Sequence, residues 1–155
     1  MSAADTERAE RLERYMHAHI PLVTQMQVKV ASLDQAGLTL TAPLAPNINH
    51  ERTAFGGSLA SLMILACWGY LWSSLDEGRG SRIVVKDGQL DYLKPVTDTL
   101  RAQCAPADAQ ALLKFRDTLA RRGRARIELK AEIQQDGAVG ARYAGSFAVF
   151  REPAA

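Results

Sequence analysis

Residues 55–75 read Phe-Gly-Gly-Ser-Leu-Ala-Ser-Leu-Met-Ile-Leu-Ala-Cys-Trp-Gly-Tyr-Leu-Trp-Ser-Ser-Leu. From Leu59 to Leu75 no charged side chain occurs, and the apolar residues fall all round a helical wheel rather than along one stripe. A helix of that kind is one covered on every side by protein, and the spacing predicts it over 57–75. Its Gly-Gly-Ser start leaves backbone N–H groups without intrahelical partners, and such groups hold a developing negative charge. Ahead of it runs Ala45-Pro46-Asn47-Ile48-Asn49-His50-Glu51-Arg52-Thr53-Ala54, a polar loop with two asparagines and a histidine. Chemistry-capable side chains at the mouth of a buried helix make this junction the candidate site.

A charge-free run of this length also raises the question of a membrane span. Gly56, Gly57, Ser58, Ser61, Ser73 and Ser74 dilute its hydrophobicity. A span here would also part the strands before it from those after it, leaving neither set a closed sheet. The expectation is a core helix and no membrane.

The 155 residues suit a single domain, 1–155, with its N-terminal helix over 1–21. Apolar residues at 47% and charged residues at 23% describe a globular chain, and a net charge of +2 gives no support to a nucleic-acid partner. Two cysteines, Cys67 and Cys104, make no disulfide framework. The three histidines do not cluster with acids at ligand spacing, so no metal and no cofactor are expected. Residues 1–14 are charged and lack an apolar signal core, which points to the cytoplasm.

Asp5 or Thr6 is placed to cap a first helix with Leu12, Tyr15, Met16 and His19 on one face, ended by Pro21. Residues 27–33 and 38–44 flank Asp34-Gln35-Ala36-Gly37 as a hairpin. After the buried helix, residues 83–93 read as one long strand with a bulge at Asp87-Gly88, and 100–104 as a short one. Residues 107–122 carry helical spacing at Leu112, Leu113, Arg116 and Leu119 and stop at Gly123. Residues 126–133 alternate cleanly, and Asp136-Gly137 turns the chain into a last strand with Tyr143, Phe147 and Val149 on one face. The class is α+β: about six antiparallel strands curved around one apolar helix.

Asn49, five residues, Phe55-Gly56-Gly57, an apolar helix and then Leu90-Asp91-Tyr92-Leu93-Lys94-Pro95 together resemble the hotdog-fold acyl-CoA thioesterases. The look is nearest to the thioesterase domain also found fused behind an acetyltransferase in some bacterial proteins. That resemblance implies an antiparallel sheet wrapped around a long central helix, working as a homodimer or a dimer of dimers. It implies that Asn49 positions the thioester or the water, and that the Gly57 N–H polarises the carbonyl. Two positions depart from the wider family: Phe55 stands where many relatives have His, and Ile64 where a helix Asp or Glu often acts.

The implied substrate is an acyl-CoA or acyl-carrier-protein thioester, with the acyl chain against Phe55, Leu59, Leu62, Met63 and Trp68, and Gly56 also among the substrate-binding residues. The glycines polarise a carbonyl, let helix and sheet approach closely, or do both. Asn47 and Asn49 orient substrate or satisfy loop backbone. His50 is either the base or a solvated loop residue, and Asp91 either a base reaching a partner's site or a surface acid. Ser58 and Ser61 hold a water, or cap and bond back to the helix. Arg122 and Arg124, in the run Arg121-Arg122-Gly123-Arg124-Ala125-Arg126, bind coenzyme A phosphates or complement a helix dipole. Two rival functions stay open: dehydration of hydroxyacyl thioesters, which Phe55 disfavours, and non-catalytic acyl-thioester binding, which the missing helix carboxylate encourages.

Overall fold

Helix α1 (Ala3–His19) begins at Ser2, whose hydroxyl accepts the Asp5 N–H while the Asp5 carboxylate accepts the Ser2 N–H. The cap is therefore Ser2, with Asp5 as its reciprocal partner, rather than Asp5 or Thr6. Ile20 turns extended, and Pro21 does not merely end the helix: it opens a second one, α2 (Pro21–Met26), at the position where its missing N–H costs nothing. The computed structural model describes residues 1–153, and the rest of the fold follows from its strands.

Strands β1 (Lys29–Asp34) and β2 (Gly37–Ala42) form the hairpin. Gly37 closes it at φ +108, with its Cα against the Cys104 carbonyl, where no side chain fits. The chain then crosses the loop, including a 3₁₀ turn over Ala45–Asn47, and enters α3 (Gly56–Ser74). There follow β3 (Ser81–Val85), β4 (Gln89–Tyr92), β5 (Leu100–Cys104), α4 (Ala109–Arg122), β6 (Arg124–Gln135) and β7 (Ala138–Arg151). The strands make one antiparallel sheet in the order β1-β2-β5-β6-β7-β3, with β4 also on β7.

The expected long strand over 83–93 is two, which makes seven strands in all. From Val85 to Gln89 the chain takes four steps while its partner takes three, from Phe147 to Ala144, so one residue is extra. Asp87 holds the break: its carboxylate accepts the Ser146 N–H, and its carbonyl accepts the Tyr143 hydroxyl. Gly88 and Gly145 leave room for the Tyr143 ring, because a Cβ on either would collide with it.

The inner face of the sheet carries Leu38, Leu40, Leu100, Ala102, Ile133, Tyr143 and Phe147, all buried against α3. Leu62, Met63, Ala66, Cys67 and Leu71 of α3 have no exposed surface. Helix α4 is capped by Asp108 and Gly123 and lies beside the part of β6 that β5 leaves unpaired. It buries Phe115 and Leu119, whereas Leu113, expected on that face, is exposed. One stripe of α3, Ser61, Ile64, Leu65 and Trp68, is only half-buried, so the helix is not covered on every side by its own chain. That uncovered stripe positions the site.

Candidate active site

The loop before α3 is built by its asparagines. Asn47 is 2% exposed; its Nδ2 donates to the Met26 carbonyl at 3.0 Å and the Pro43 carbonyl at 2.8 Å. Its backbone carbonyl accepts the Phe55 N–H at 2.8 Å, which fixes the residue preceding the helix, while its Oδ1 is buried with no partner among the described residues. Such burial makes Asn47 a brace of the loop and leaves it no surface for a substrate. Asn49 accepts the Glu51 and Thr53 N–H groups on Oδ1 and donates from Nδ2 to Thr53 Oγ1 at 2.8 Å and the Ala54 carbonyl at 3.4 Å. Both donors and both acceptor positions of the Asn49 amide are thus spent inside its own loop.

The helix start differs from those of α1 and α4. Ser2 and Asp108 cap those helices through their side chains; Phe55 supplies α3 with no side-chain bond, and its first turn holds no acid. The Gly56 and Gly57 N–H groups have no hydrogen-bond acceptor among the described residues. Among the described residues, no side chain caps the positive end of this helix dipole. The Phe55 ring folds over Gly57, so close that a Cβ there would lie 2.4 Å from it. Tyr92 comes in from β4: its hydroxyl donates to the Gly56 carbonyl at 3.0 Å, and a Cβ on Gly56 would lie 3.4 Å from its ring.

The hydroxyl of Ser58 makes no hydrogen bond in the described structure, and Ser61 Oγ donates to the Gly57 carbonyl at 2.8 Å. From Ser61 an apolar groove of about 460 Å³ follows the uncovered stripe Ile64, Leu65 and Trp68, walled by α2 on one side and β3 on the other. Of the residues expected along the acyl chain, Trp68 faces this groove. Leu59, Leu62 and Met63, on the opposite side of the helix, are in the core instead. A larger hollow of about 650 Å³ between α4 and β6 is lined by Lys114, Arg126 and Phe115, well away from Gly57.

Other candidates are not gathered here. The His50 side chain is 87% exposed, with its Nε2 3.2 Å from the Glu51 carboxylate. Asp91 points to the outer face of the sheet, among Gln89, Lys130, Glu132 and Arg142. Arg122 and Arg124 are exposed at the end of α4 and the start of β6. That places them by the C-terminal end of α3, where Arg116 reaches the Ser74 carbonyl, about 28 Å from the amides by helix length. Cys67 and Cys104 are buried free thiols; the Cys104 thiol and burial together push the Cys67 thiol well above its ordinary range, so it is inert. Tyr92 and the α2 wall (Ile20, Leu22, Val23, Met26) escape the sequence reading. Tyr92 was open to it, since strand alternation sets it opposite Asp91.

The chain matches the family model described as putative thioesterase (yiiD_Cterm) over residues 9–151. It belongs to that family. Several solved structures are similar to this chain over most of its length. A protein of unknown function from Chlorobaculum tepidum is 33% identical, with a TM-score of 0.87 over 93% of this chain and 94% of that one. A putative thioesterase from Shewanella oneidensis is 30% identical, with a TM-score of 0.83 over 96% and 99%. A thioesterase from Haemophilus influenzae, 14% identical at a TM-score of 0.74 over 94% and 92%, shares the fold alone. The architecture is the hotdog fold, and the family makes the chain thioesterase-like. Among the described residues no helix is long and apolar enough to cross a membrane.

Proposed function

We propose that the protein hydrolyses an acyl thioester, of coenzyme A or of an acyl carrier protein, to the free acid and thiol. The observation that carries this reading is a pair of amides, Gly56 and Gly57, without an acceptor among the described residues, one helical turn before Ser61, where an apolar groove begins. The acyl chain lies along Ser61, Ile64, Leu65 and Trp68, and the carbonyl oxygen meets the Gly57 N–H. Water adds to the carbonyl carbon, the oxyanion is held by that N–H, and the C–S bond breaks as the thiolate leaves and takes up a proton. Ser58, with its hydroxyl free, orients the water. Asn49 acts by holding the loop that aims the amides.

Within one chain neither His50 nor Asp91 faces these amides, so either serves as proton acceptor only when a second copy brings it there. Arg122 and Arg124 stand by the end of α3 towards which the acyl chain runs, so in this reading they do not meet the phosphates of a thioester held at the Gly57 N–H of the same chain. The test is release of free thiol from a series of acyl-CoAs and acyl carrier proteins of increasing chain length. Turnover is the expected result. Tight binding without thiol release assigns a binding module instead, and water loss from a 3-hydroxyacyl thioester assigns a dehydratase.

A further inference from the structure

We propose that Tyr92 is a positioning residue that strengthens the Gly57 N–H as a hydrogen-bond donor, acting through the peptide group between Gly56 and Gly57. This rests on the reading of Gly57 as the oxyanion donor. The Gly56 carbonyl and the Gly57 N–H are the two ends of one planar, conjugated unit. The Tyr92 hydroxyl donates to that carbonyl at 3.0 Å. The same oxygen takes the next-turn N–H of the α3 ladder, so it carries two donors where a first-turn carbonyl ordinarily carries one. Each hydrogen bond accepted at oxygen draws electron density from nitrogen and leaves the N–H more positive. Such cooperative strengthening amounts to roughly 10–30% per bond.

Three features make this more than a strap between sheet and helix. The amide in question has no acceptor of its own among the described residues, so added polarity is available to a ligand. The Phe55 ring over Gly57 thins the water around it, and a lower local dielectric enlarges the effect. Tyr92 is 54% exposed, and its ring adds little to the core; what the hydroxyl touches is the one carbonyl conjugated to that N–H. In β4 it sits opposite Ala141 on the inner face, while its neighbour Asp91 faces out.

The test uses the full chain with Tyr92→Phe, which keeps the ring and, at an exposed position, leaves folding intact. In ¹⁵N–¹H spectra the Gly57 amide moves upfield in both dimensions while Gly123 and Gly137 stay in place. With an acyl-CoA substrate, kcat falls about three- to tenfold at unchanged KM. That is less than the roughly 10²–10³ lost with a whole oxyanion donor. A fluorotyrosine at position 92, a stronger O–H donor, moves Gly57 the opposite way, which a mere strap would not do. A stationary Gly57 resonance in Tyr92→Phe overturns the proposal, as does a shifted resonance with kcat unchanged in an active enzyme. Should the wild-type chain release no thiol from any substrate, the thioesterase reading fails, and the Gly57 shift by itself decides the coupling.

Discussion

Asn47 and Asn49 stand two residues apart in one loop and hold different things together. Asn47 ties α2 to the loop through the Met26 and Pro43 carbonyls. Asn47→Ala strands one buried and one half-buried acceptor and is expected to cost about 1–3 kcal/mol of stability, read from urea midpoints. Asn49 knits residues 49–54 into the turn that delivers Phe55 and the glycines. Asn49→Ala is expected to lower kcat at least ~10-fold and to speed amide exchange at Thr53 and Phe55 together, because the amides lose their aim. A loss of kcat with exchange unchanged would mean that the Asn49 side chain touches substrate directly. Both asparagines and their spacing to Gly56-Gly57 are legible in the chain; which atoms they bind is not, since turn-forming and substrate-orienting asparagines look alike in one dimension.

Helix α3 owes its groove to what packs around it. Trp68, seven residues or about 10 Å beyond Ser61, closes the far end of the stripe and stacks on Tyr15 of α1, ring centroids 6.1 Å apart. Trp68→Ala opens that end, so the acyl length giving the highest kcat/KM is expected to increase; an unmoved optimum would remove Trp68 as the stop. At the break between β3 and β4, the Tyr143 hydroxyl is pushed up to about 12 from its ordinary value near 10, first by burial and then by the neighbouring Asp87 carboxylate. The folded chain therefore keeps a proton that the unfolded chain releases above pH 10. This contribution is complete below pH 10 and is lost as the pH climbs towards 12. Tyr143→Phe is expected to flatten the fall of stability across that window, with a loss of about 1 kcal/mol at neutral pH from the missing bond to the Asp87 carbonyl, both read by chemical unfolding.

At the scale of the whole molecule the two edges of the sheet are treated differently. Beside β1 lies α1, and the Glu13 carboxylate accepts the Val30 N–H at 2.7 Å. The other edge, β3, runs along the apolar groove with Val85 exposed, and Leu22 of α2 stands exposed on the opposite wall. An uncovered strand beside an apolar face favours pairing with a second copy. Sedimentation velocity is expected to give twice the chain mass, and Val85→Glu to give the single chain; a wild-type monomer at micromolar concentration would end the expectation.

Local periodicity by itself determined the apolar helix, the clean alternation of β6, the glycine stops and the antiparallel α+β class, because each is set by neighbours a few residues away. Tertiary structure alone decided which stripe of α3 stays uncovered, that Tyr92 rather than Asp91 meets Gly56, and that Arg124 lies a helix length from the amides. A helix equally apolar all round carries no direction in its sequence. The direction comes from β2, β5, β6 and β7 covering one side and leaving the other to α2 and β3.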